Sequence, residues 1–587
     1  MSQDGFLATF RRTPLSRLFG QGADRPVSEE PPLRAELFAL GQLEQHGRML
    51  AEDQTVDPHP GPEVLLHRLS ENERVIRESY DVVAEAARRG LQTAPGANWL
   101  LDNFYLIEEQ IDIARDHLPP GYSKQLPRLA TGPLQGSPRV YELALELVSH
   151  TDGRIDMENL TRFVRGFQNH SPLTLGELWA VPIMLRLALL ENLRRVSYRT
   201  ARRRRDRDRA LDWVGRFLDA AQTTPKGLIT ELADFVRESP TMSQAFIAEM
   251  CTGLQGQHAA LGLVVSWVEQ DLAERGHTIE ETLRAESHDQ AADRVSIANS
   301  ITSLRTLSAL DWHEFVEDLS ETEAALRRDP AEVYAQMDFN TRDRYRHVVE
   351  RLARWSEKDE HEVAAAAVRL AEGRSRDADA PDREHHVGYF LLRAGRRELE
   401  RTIGARVPVT RRLARAVRPV LPWLYVLGQA VGAAIVTGVL LLQTKSLIVY
   451  GWGWVVPAAV VMLLFVSQSV ISLINWVATM VVSVRTLPRL DFKKGIPADH
   501  ATVVVIPTLL TDAKAVDSLV EGLELRYLAN RSRHLYFLLL TDFPDAPEQE
   551  MADDADLLRR AVMGVRHLNA TYGEAGRPIF HLLHRPR

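Results

Sequence analysis

Polar side chains follow two short apolar runs near the end of the chain, at residues 501–506 and 535–540. The candidates are Pro507, Thr508 and Asp512 after the first run, and Thr541, Asp542 and Asp545 after the second. If both runs are strands of a parallel sheet, these residues lie at its carboxyl edge, where such sheets bind ligands. A carboxylate there can accept a hydrogen bond from a base N–H or a ribose hydroxyl. We therefore expect Thr508, Asp512 and Asp542 to bind a nucleotide.

Asp542 is the strongest single candidate, and two interpretations of it stay open. It belongs to the segment TDFPDAP, where an aspartate can also cap a proline-containing turn. Asp554 and Asp556 form an Asp-x-Asp pair of the kind that holds a divalent cation, but no apolar strand precedes them. We interpret this pair as the acidic first turn of a helix, where the helix dipole favours negative charge.

The elements that must position these residues follow from the hydrophobic pattern. Strands are predicted at about 501–506, 535–540 and 579–583, and helices at about 513–528 and 553–568. This is a β-α-β-α-β unit, and its continuous apolar strands are typical of a parallel sheet that is covered on both faces. Because the chain ends after the third strand, we expect it to be part of a longer protein.

Two long uncharged stretches precede this unit, at about 420–442 and 454–484. Each is long enough to cross a hydrocarbon core of about 30 Å as a helix. Gly428 and Gly432 form a Gly-x-x-x-Gly pair, which lets a neighbouring helix approach closely. In the second stretch Gln468, Ser472, Asn475 and Thr479 fall on one face. Hydrogen bonding between helices is the favoured explanation of that face, with a hydrated path for glycan as the alternative.

Basic residues flank this hairpin on both sides. Arg406, Arg411, Arg412, Arg415 and Arg418 precede it, Arg485, Arg489, Lys493 and Lys494 follow it, and the connection holds Lys445. The positive-inside rule therefore predicts a cytoplasmic N-terminus and C-terminus.

Residues 31–404 show helical periodicity nearly throughout, and residues 1–30 have the composition of a disordered segment. The most apolar helix, at 175–193, contains Arg186 and Glu191 and is predicted to be a core helix rather than a membrane span.

The net charge of -8 argues against a nucleic-acid partner. The run Arg202–Arg205, with Arg207 and Arg209, is interpreted as solvated helix surface. The single cysteine, Cys251, excludes a disulfide framework and is expected to be a small core residue.

Several blocks of the sequence resemble one known family. They are LRAELFALGQLEQHGRML (33–50), WLLDNFYLIEEQI (99–111), LPPGYSKQLPRL (118–129), LTLGELWAVPIMLRLALLENLRR (173–195), RVSIANSITSLRTLSALDW (294–312), DFNTRDRYRHVVERLAR (338–354), HVGYFLLRAGRRELE (386–400) and VVVIPTLLTDAKAVDSLVEGLELRYLANR (503–531). They resemble, in order, the N-terminal region of bacterial cyclic β-1,2-glucan synthases, which are large inner-membrane proteins.

The resemblance implies a mainly α chain with three parts after the disordered N-terminus. These are a helical cytoplasmic domain at 31–404, a transmembrane hairpin at 405–490, and the N-terminal half of a GT-A-like glycosyltransferase domain at 498–587. Family members use UDP-glucose to extend, trim and cyclise a β-1,2-glucan. Thr508 and Asp542 then correspond to the uridine-binding edge. The catalytic base and the metal-binding Asp-x-Asp of the family are expected beyond this chain, together with the phosphorylase-like domain.

We therefore expect the chain to be part of an inverting glucosyltransferase of the bacterial inner membrane. Its complete form is expected to need Mg²⁺ or Mn²⁺, and no metal ligands are assigned within the chain itself. The alternative is a membrane scaffold or regulatory protein without catalytic activity, whose β-α-β segment is degenerate.

Overall fold

The computed structural model describes residues 30–57, 61–119, 121–223, 225–256, 259–377, 379–417, 419–443, 452–482, 486–574 and 576–586. The chain divides into two compact units. Unit 1 contains the described residues up to Arg328 together with Val349–Val368, and unit 2 contains Asp329–Val348 and the described residues from Arg369 onwards. The domain boundaries predicted from the sequence stay predictions. Residues 1–29 of the predicted disordered segment lie outside the described residues, as do Arg418, Lys445 and Arg485.

Unit 1 is built from helices and one short antiparallel pair, β1 (Val56–Asp57) with β2 (Arg128–Leu129). Its helices are α1 (Leu40–Asp53), α2 (Leu65–Arg88), α3 (Pro95–Asp102), α4 (Phe104–Asp116), α5 (Arg139–His150), α6 (Met157–Gln168), α7 (Leu175–Thr223), α8 (Pro225–Glu238), α9 (Gln244–Leu254), α10 (Gly262–Glu274), α11 (Ile279–Leu307), α12 (Trp312–Leu319) and α13 (Glu321–Leu326). Local sequence defines several helix starts. At α11, for example, the Thr278 hydroxyl accepts the Glu281 N–H while the Glu281 carboxylate accepts the Thr278 N–H.

Helix α7 is the central element of the unit 1 core. Its first part was predicted as a core helix, and this is confirmed, because Leu178, Val181 and Leu189 are fully buried. The helix continues without a break to Thr223, thirty residues beyond the predicted end at 193. The buried charged groups that interrupt its apolar pattern are satisfied by neighbours; the Arg186 side chain, for instance, donates to Gln110 at 2.8 Å.

The basic run on α7 is only in part a solvated surface. Arg202, Arg205 and Arg209 are exposed, but Arg203 and Arg207 face the acidic side of α11. Arg203 pairs with Asp293 at 2.5 Å, and Arg207 pairs with Glu286 at 3.3 Å. The sequence interpretation is therefore wrong for these two arginines, because their carboxylate partners lie some 80 to 90 residues away in the chain. It is also wrong for Arg204, which is buried and pairs with Asp208 on the same helix.

Cys251 lies on α9 and is 3% exposed among apolar neighbours. Burial, together with the negative charge of Glu269, raises the pKa of its thiol to about 11. A thiol with so high a pKa is almost entirely protonated at neutral pH and is a poor nucleophile. Its expected role as a small core residue is confirmed.

The next helices along the chain are α14 (Phe339–Ala353), α15 (Glu360–Ser375), α16 (Val387–Leu392), α17 (Arg396–Thr402), α18 (Val409–Val417), α19 (Leu421–Gln443) and α20 (Trp452–Val481). Helices α14 and α15 each have residues in both units, and the later ones belong to unit 2. Helices α19 and α20 are long and apolar enough to cross a membrane, as expected. They pack against each other as a pair. Most of their large apolar side chains are exposed, which fits helices whose surroundings are lipid.

A three-stranded parallel sheet follows, with strand order β3 (Thr502–Leu509), β4 (Leu535–Asp542) and β5 (Phe580–His584). The connecting helices are α21 (Ala513–Ala529) and α22 (Asp554–Tyr572). The predicted β-α-β-α-β order is confirmed, but β3 does not end at Pro507. Proline lacks a backbone N–H, and β3 tolerates it because this strand lies at the edge of the described sheet.

The sheet is covered on one face rather than on both. Phe537, Leu539 and Phe580 are buried with residues of α21 and α22, whereas the opposite face exposes large apolar side chains within the described chain. The exposed residues are Val503, Val505, Leu509, Leu540 and Leu583. The expectation of two covered faces is wrong for these residues, because two successive crossovers of the same hand and direction place both helices on the same side.

Candidate functional site

The ends of the three parallel strands bring polar side chains together at one edge of the sheet. Thr508 lies beside Thr541 in the register of β3 and β4, and Thr541 lies beside His584 in that of β4 and β5. An open cleft of about 400 Å³ lies at this edge. Its lining residues are Pro507, Thr508, Leu509, Leu540, Thr541, Asp542 and Arg585. Thr508 and Asp542, predicted from the sequence, therefore line the same cleft.

Asp542 is the carboxylate of this cleft, and both of its oxygens have partners. Oδ1 accepts a hydrogen bond from the backbone N–H of Phe543 at 2.9 Å, and Oδ2 forms an ion pair with Arg585. The Asp542 side chain is 22% exposed and that of Arg585 is 78% exposed. An exposed guanidinium can leave its partner at little cost, since exposed ion pairs contribute about 0–1 kcal/mol. The carboxylate can then accept a ligand N–H or O–H.

Arg585 is a lining residue that the sequence did not predict. It is the first residue after β5, so the rule that selected Thr508 and Asp542 also applies to it. Its backbone N–H donates to the carbonyl oxygen of Thr541 at 2.9 Å, which fixes its position at the cleft. Guanidinium groups bind phosphate through paired hydrogen bonds, so Arg585 adds a candidate phosphate ligand to the site.

Thr541 lines the cleft, and His584 contacts it from the neighbouring strand. The Thr541 side chain is buried, and its hydroxyl lies 3.0 Å from Nδ1 of His584 and 3.3 Å from the carbonyl oxygen of Leu583. The ring of Phe543 meets the His584 ring edge to face, with centroids 4.4 Å apart. These contacts hold the strand ends in register beneath Asp542.

Asp512 is the N-cap of α21, where its Oδ1 accepts the Ala515 N–H at 2.9 Å and its Oδ2 accepts the Thr511 hydroxyl at 3.3 Å. Its binding to a nucleotide stays a prediction. The hydrogen bond from Ala515 lowers the pKa of the carboxyl, because it favours the charged form. Asp512 is not among the lining residues of the cleft, and neither is the exposed Asp545.

Asp554 and Asp556 lie in the first turn of α22, as the sequence predicted. Asp554 accepts the Met551 N–H at 2.8 Å, and Asp556 pairs with Arg559 at 3.0 Å. Both carboxylates are therefore engaged at the helix start.

The packing of the two long apolar helices places the two glycines of α19 toward α20. A Cβ atom on Gly432 would lie 3.0 Å from Cγ1 of Val470, whereas one on Gly428 would lie 3.9 Å from Cδ1 of Ile474. Asn475 accepts a hydrogen bond from the Tyr425 hydroxyl at 2.5 Å. Gln468 is exposed within the described chain. Asn475 is thus the residue of this polar face that forms a hydrogen bond from α20 to α19 among the described contacts.

Replacing Gly432 by isoleucine is expected to destabilise the hairpin, because the added side chain must displace Val470. Overpacking of this kind costs roughly 1–3 kcal/mol. The matched control is Gly438→Ile on the same helix, since a Cβ there has nothing within 4 Å. Thermal unfolding in detergent should show a lower midpoint for Gly432→Ile than for Gly438→Ile. Equal midpoints would show that the contact at Gly432 is loose.

The chain is similar to one curated protein of the family that its sequence blocks resemble. No family model matches the chain. The chain is 34% identical, over 98% of its length, to the cyclic beta-(1,2)-glucan synthase NdvB of Rhizobium meliloti (strain 1021). The matched region spans 20% of that protein, so the chain covers about a fifth of its relative. The resemblance predicted from the sequence blocks is therefore confirmed: along nearly its whole length, this chain is similar to one part of a cyclic β-1,2-glucan synthase.

Proposed function

We propose that this chain is part of a membrane-bound glucan synthase that polymerises glucose from UDP-glucose into a β-1,2-linked glucan. The observation that carries the proposal is the similarity to a cyclic beta-(1,2)-glucan synthase over 98% of the chain. Because the helical unit, the apolar hairpin and the sheet all lie within that alignment, the proposal concerns all three. The glycosyltransferase would be inverting, and the segment 498–587 would be the first half of its GT-A-like domain.

In this proposal the carboxyl edge of the sheet binds the nucleoside diphosphate. Asp542 accepts a hydrogen bond from the uracil N–H or from a ribose hydroxyl, and the Thr508 hydroxyl bonds beside it. Arg585 exchanges its ion pair with Asp542 for the diphosphate, whose charge is greater. Opening one exposed ion pair thus provides both a carboxylate and a guanidinium for the ligand.

The cleft does not fit a divalent cation as well as it fits a nucleoside. Mg²⁺ needs near-octahedral oxygen ligands, and Asp542 supplies the single carboxylate among the residues that line the cleft. We therefore place the Mg²⁺ or Mn²⁺ of the complete synthase with residues outside this cleft. Inversion also needs a carboxylate base, and we assign that role to none of the described residues.

The proposed location is the bacterial inner membrane, with both ends of the chain in the cytoplasm. Arg411, Arg412 and Arg415 precede α19, and Lys493 and Lys494 follow α20. Positive charge on both flanks favours a cytoplasmic position for both. In this arrangement the sheet lies on the cytoplasmic side of the membrane, where UDP-glucose would be available.

Asp542→Asn is expected to weaken binding of UDP-glucose about tenfold to hundredfold. The substitution keeps the size of the side chain and removes a charge-assisted hydrogen bond, which contributes roughly 1.5–3 kcal/mol. The measurement is isothermal titration calorimetry of the 587-residue chain in detergent, with UDP-glucose as the titrant.

Asp545→Asn is the matched control, because Asp545 belongs to the same loop but does not line the cleft. It should bind UDP-glucose as the unchanged chain does. Equal affinity of Asp542→Asn and the unchanged chain would show that Asp542 is a turn residue. No binding by the unchanged chain would contradict the nucleotide site and favour a scaffold.

A further inference from the structure

A cluster of metal-binding side chains lies in the core of unit 1, apart from the proposed nucleotide site. His46 comes from α1, and Glu146 and His150 lie one turn apart on α5. Nε2 of His46 is 3.0 Å from Oε2 of Glu146, and Nε2 of His150 is 3.3 Å from the same oxygen. One ligand atom from each side chain lies within 4.8 Å of the other two. Residue spacing alone does not reveal this cluster, because His46 is 100 residues from Glu146.

All three side chains are buried. His46 is 5% exposed, His150 is 1% exposed and Glu146 is 0% exposed. The ring of Phe38 stacks on His150 with centroids 3.9 Å apart, and the ring of Phe163 lies 6.0 Å from His46. An ionised carboxylate in such apolar surroundings is costly unless a positive group compensates for it.

The hydrogen bond on the far side of His150 defines which ring nitrogen carries a proton. Nδ1 of His150 lies 2.7 Å from the carbonyl oxygen of Glu36, which can only accept, so Nδ1 must donate. In the neutral ring, Nε2 then presents a lone pair toward Oε2 of Glu146, which is also an acceptor. Two acceptors 3.3 Å apart repel each other unless a cation or a second proton lies between them.

Unpartnered atoms also indicate a missing ligand. Among the described residues, Oε1 of Glu146 and Nε2 of His150 have no hydrogen-bond partner. Buried polar atoms in proteins nearly always have one, so two in one cluster require an explanation.

We propose that His46, Glu146 and His150 bind a zinc ion that ties α1 to α5. Two imidazoles and a carboxylate are a known zinc ligand set. Zinc bonds of roughly 2.0–2.1 Å in tetrahedral geometry separate neighbouring ligand atoms by about 3.3 Å. The observed separations of 3.0 and 3.3 Å match this spacing. The hydrogen bond from His150 to a backbone carbonyl is the contact that orients a metal-binding histidine.

The zinc ion would have a structural role. The side chains that hold it are almost completely buried, and structural sites are closed whereas catalytic sites keep an open position. Oε1 of Glu146 can supply the fourth ligand atom if the carboxylate binds through both oxygens. This site is distinct from the Mg²⁺ or Mn²⁺ expected with the diphosphate of the substrate, and it does not depend on the proposed synthase activity.

The test is the zinc content of the tag-free 587-residue chain, purified in detergent without chelators and measured by inductively coupled plasma mass spectrometry. We expect about one zinc per chain, and after exchange with Co²⁺ we expect the visible d–d absorption of tetrahedral cobalt. Glu146→Gln and His150→Gln should each lose the metal. His117→Gln is the matched control, because Nδ1 of His117 also donates to a backbone carbonyl, at 2.9 Å, but this side chain is exposed.

The measurement on the unchanged chain decides the proposal even if the variants fail to fold. A chain with a native circular dichroism spectrum that takes up no zinc and shows no cobalt absorption would overturn it. The cluster would then be an imidazolium–carboxylate pair without metal. Equal zinc content in His150→Gln and the unchanged chain would also overturn it, because the metal would then be bound elsewhere.

Discussion

Replacing Glu191 by glutamine is expected to lower the free energy of unfolding by about 3–5 kcal/mol, the typical cost of breaking a buried ion pair from one side. Glu191 is 0% exposed and accepts hydrogen bonds from Arg68 at 2.7 Å, from Arg194 at 2.8 Å and from Arg195 at 2.7 Å. Glutamine keeps the volume but removes one of the two carboxylates that these guanidinium groups share, so that Glu30 alone remains to balance the charges of Arg68, Arg194 and Arg195. Thermal and urea unfolding of the chain in detergent, followed by circular dichroism, measure the loss.

The same cluster predicts the direction of a pH effect. Burial would raise the pKa of Glu191, but the charges of Arg194, Arg195 and Arg68 outweigh it and hold the pKa well below its ordinary value of 4.5. A group whose pKa is lower in the folded state stabilises the fold above its unfolded-state pKa, and this stabilisation is lost as the pH falls through the folded-state pKa. Below about pH 4.5 the unchanged chain should therefore lose stability more steeply than Glu191→Gln.

Glu85→Gln is the matched control for Glu191→Gln. Glu85 pairs with Arg88 at 3.0 Å and with Arg89 at 3.1 Å on the exposed surface of α2. Exposed pairs of this kind contribute little, so a change within about 0.5 kcal/mol is expected. Similar losses for the two variants would show that the buried cluster is no stronger than a surface pair.

Gly166→Ala is expected to cost about 3 kcal/mol, at the upper end of the usual range for overpacking. Helices α1 and α6 pack backbone against backbone, and a Cβ on Gly166 would overlap the carbonyl oxygen of Glu44. A Cβ on Gly47 would overlap the carbonyl oxygen of Phe163 in the same interface. Backbone atoms cannot rotate away as a side chain can, so the whole helix must move.

Gly215→Ala is the control for this substitution. Gly215 lies inside α7, and a Cβ there has nothing within 4 Å. Alanine has the higher helix propensity, so this variant should gain roughly 0.5–1 kcal/mol. Thermal midpoints that move in opposite directions are the expected result. If Gly166→Ala is as stable as the unchanged chain, the two helices can move apart without a loss of folding free energy.

The sequence determined the features that depend on local pattern. Two uncharged stretches of membrane length predicted α19 and α20, and the order of short apolar runs and helical segments predicted the β-α-β-α-β unit. The acidic start of α22 and the burial of Cys251 also followed from neighbouring residues. Thr508 and Asp542 were placed at one edge because the carboxyl ends of parallel strands meet there.

The tertiary structure decided the features that depend on distant partners. Arg203 is held by Asp293 rather than by water, and Glu191 is shared by three arginines, one of them from another helix. His46 meets Glu146 only because α1 and α5 pack in the core. Residue spacing predicts which face of a helix is apolar. It does not specify which other helix packs against that face. The pairing of charges and of metal ligands is therefore fixed only when the helices pack.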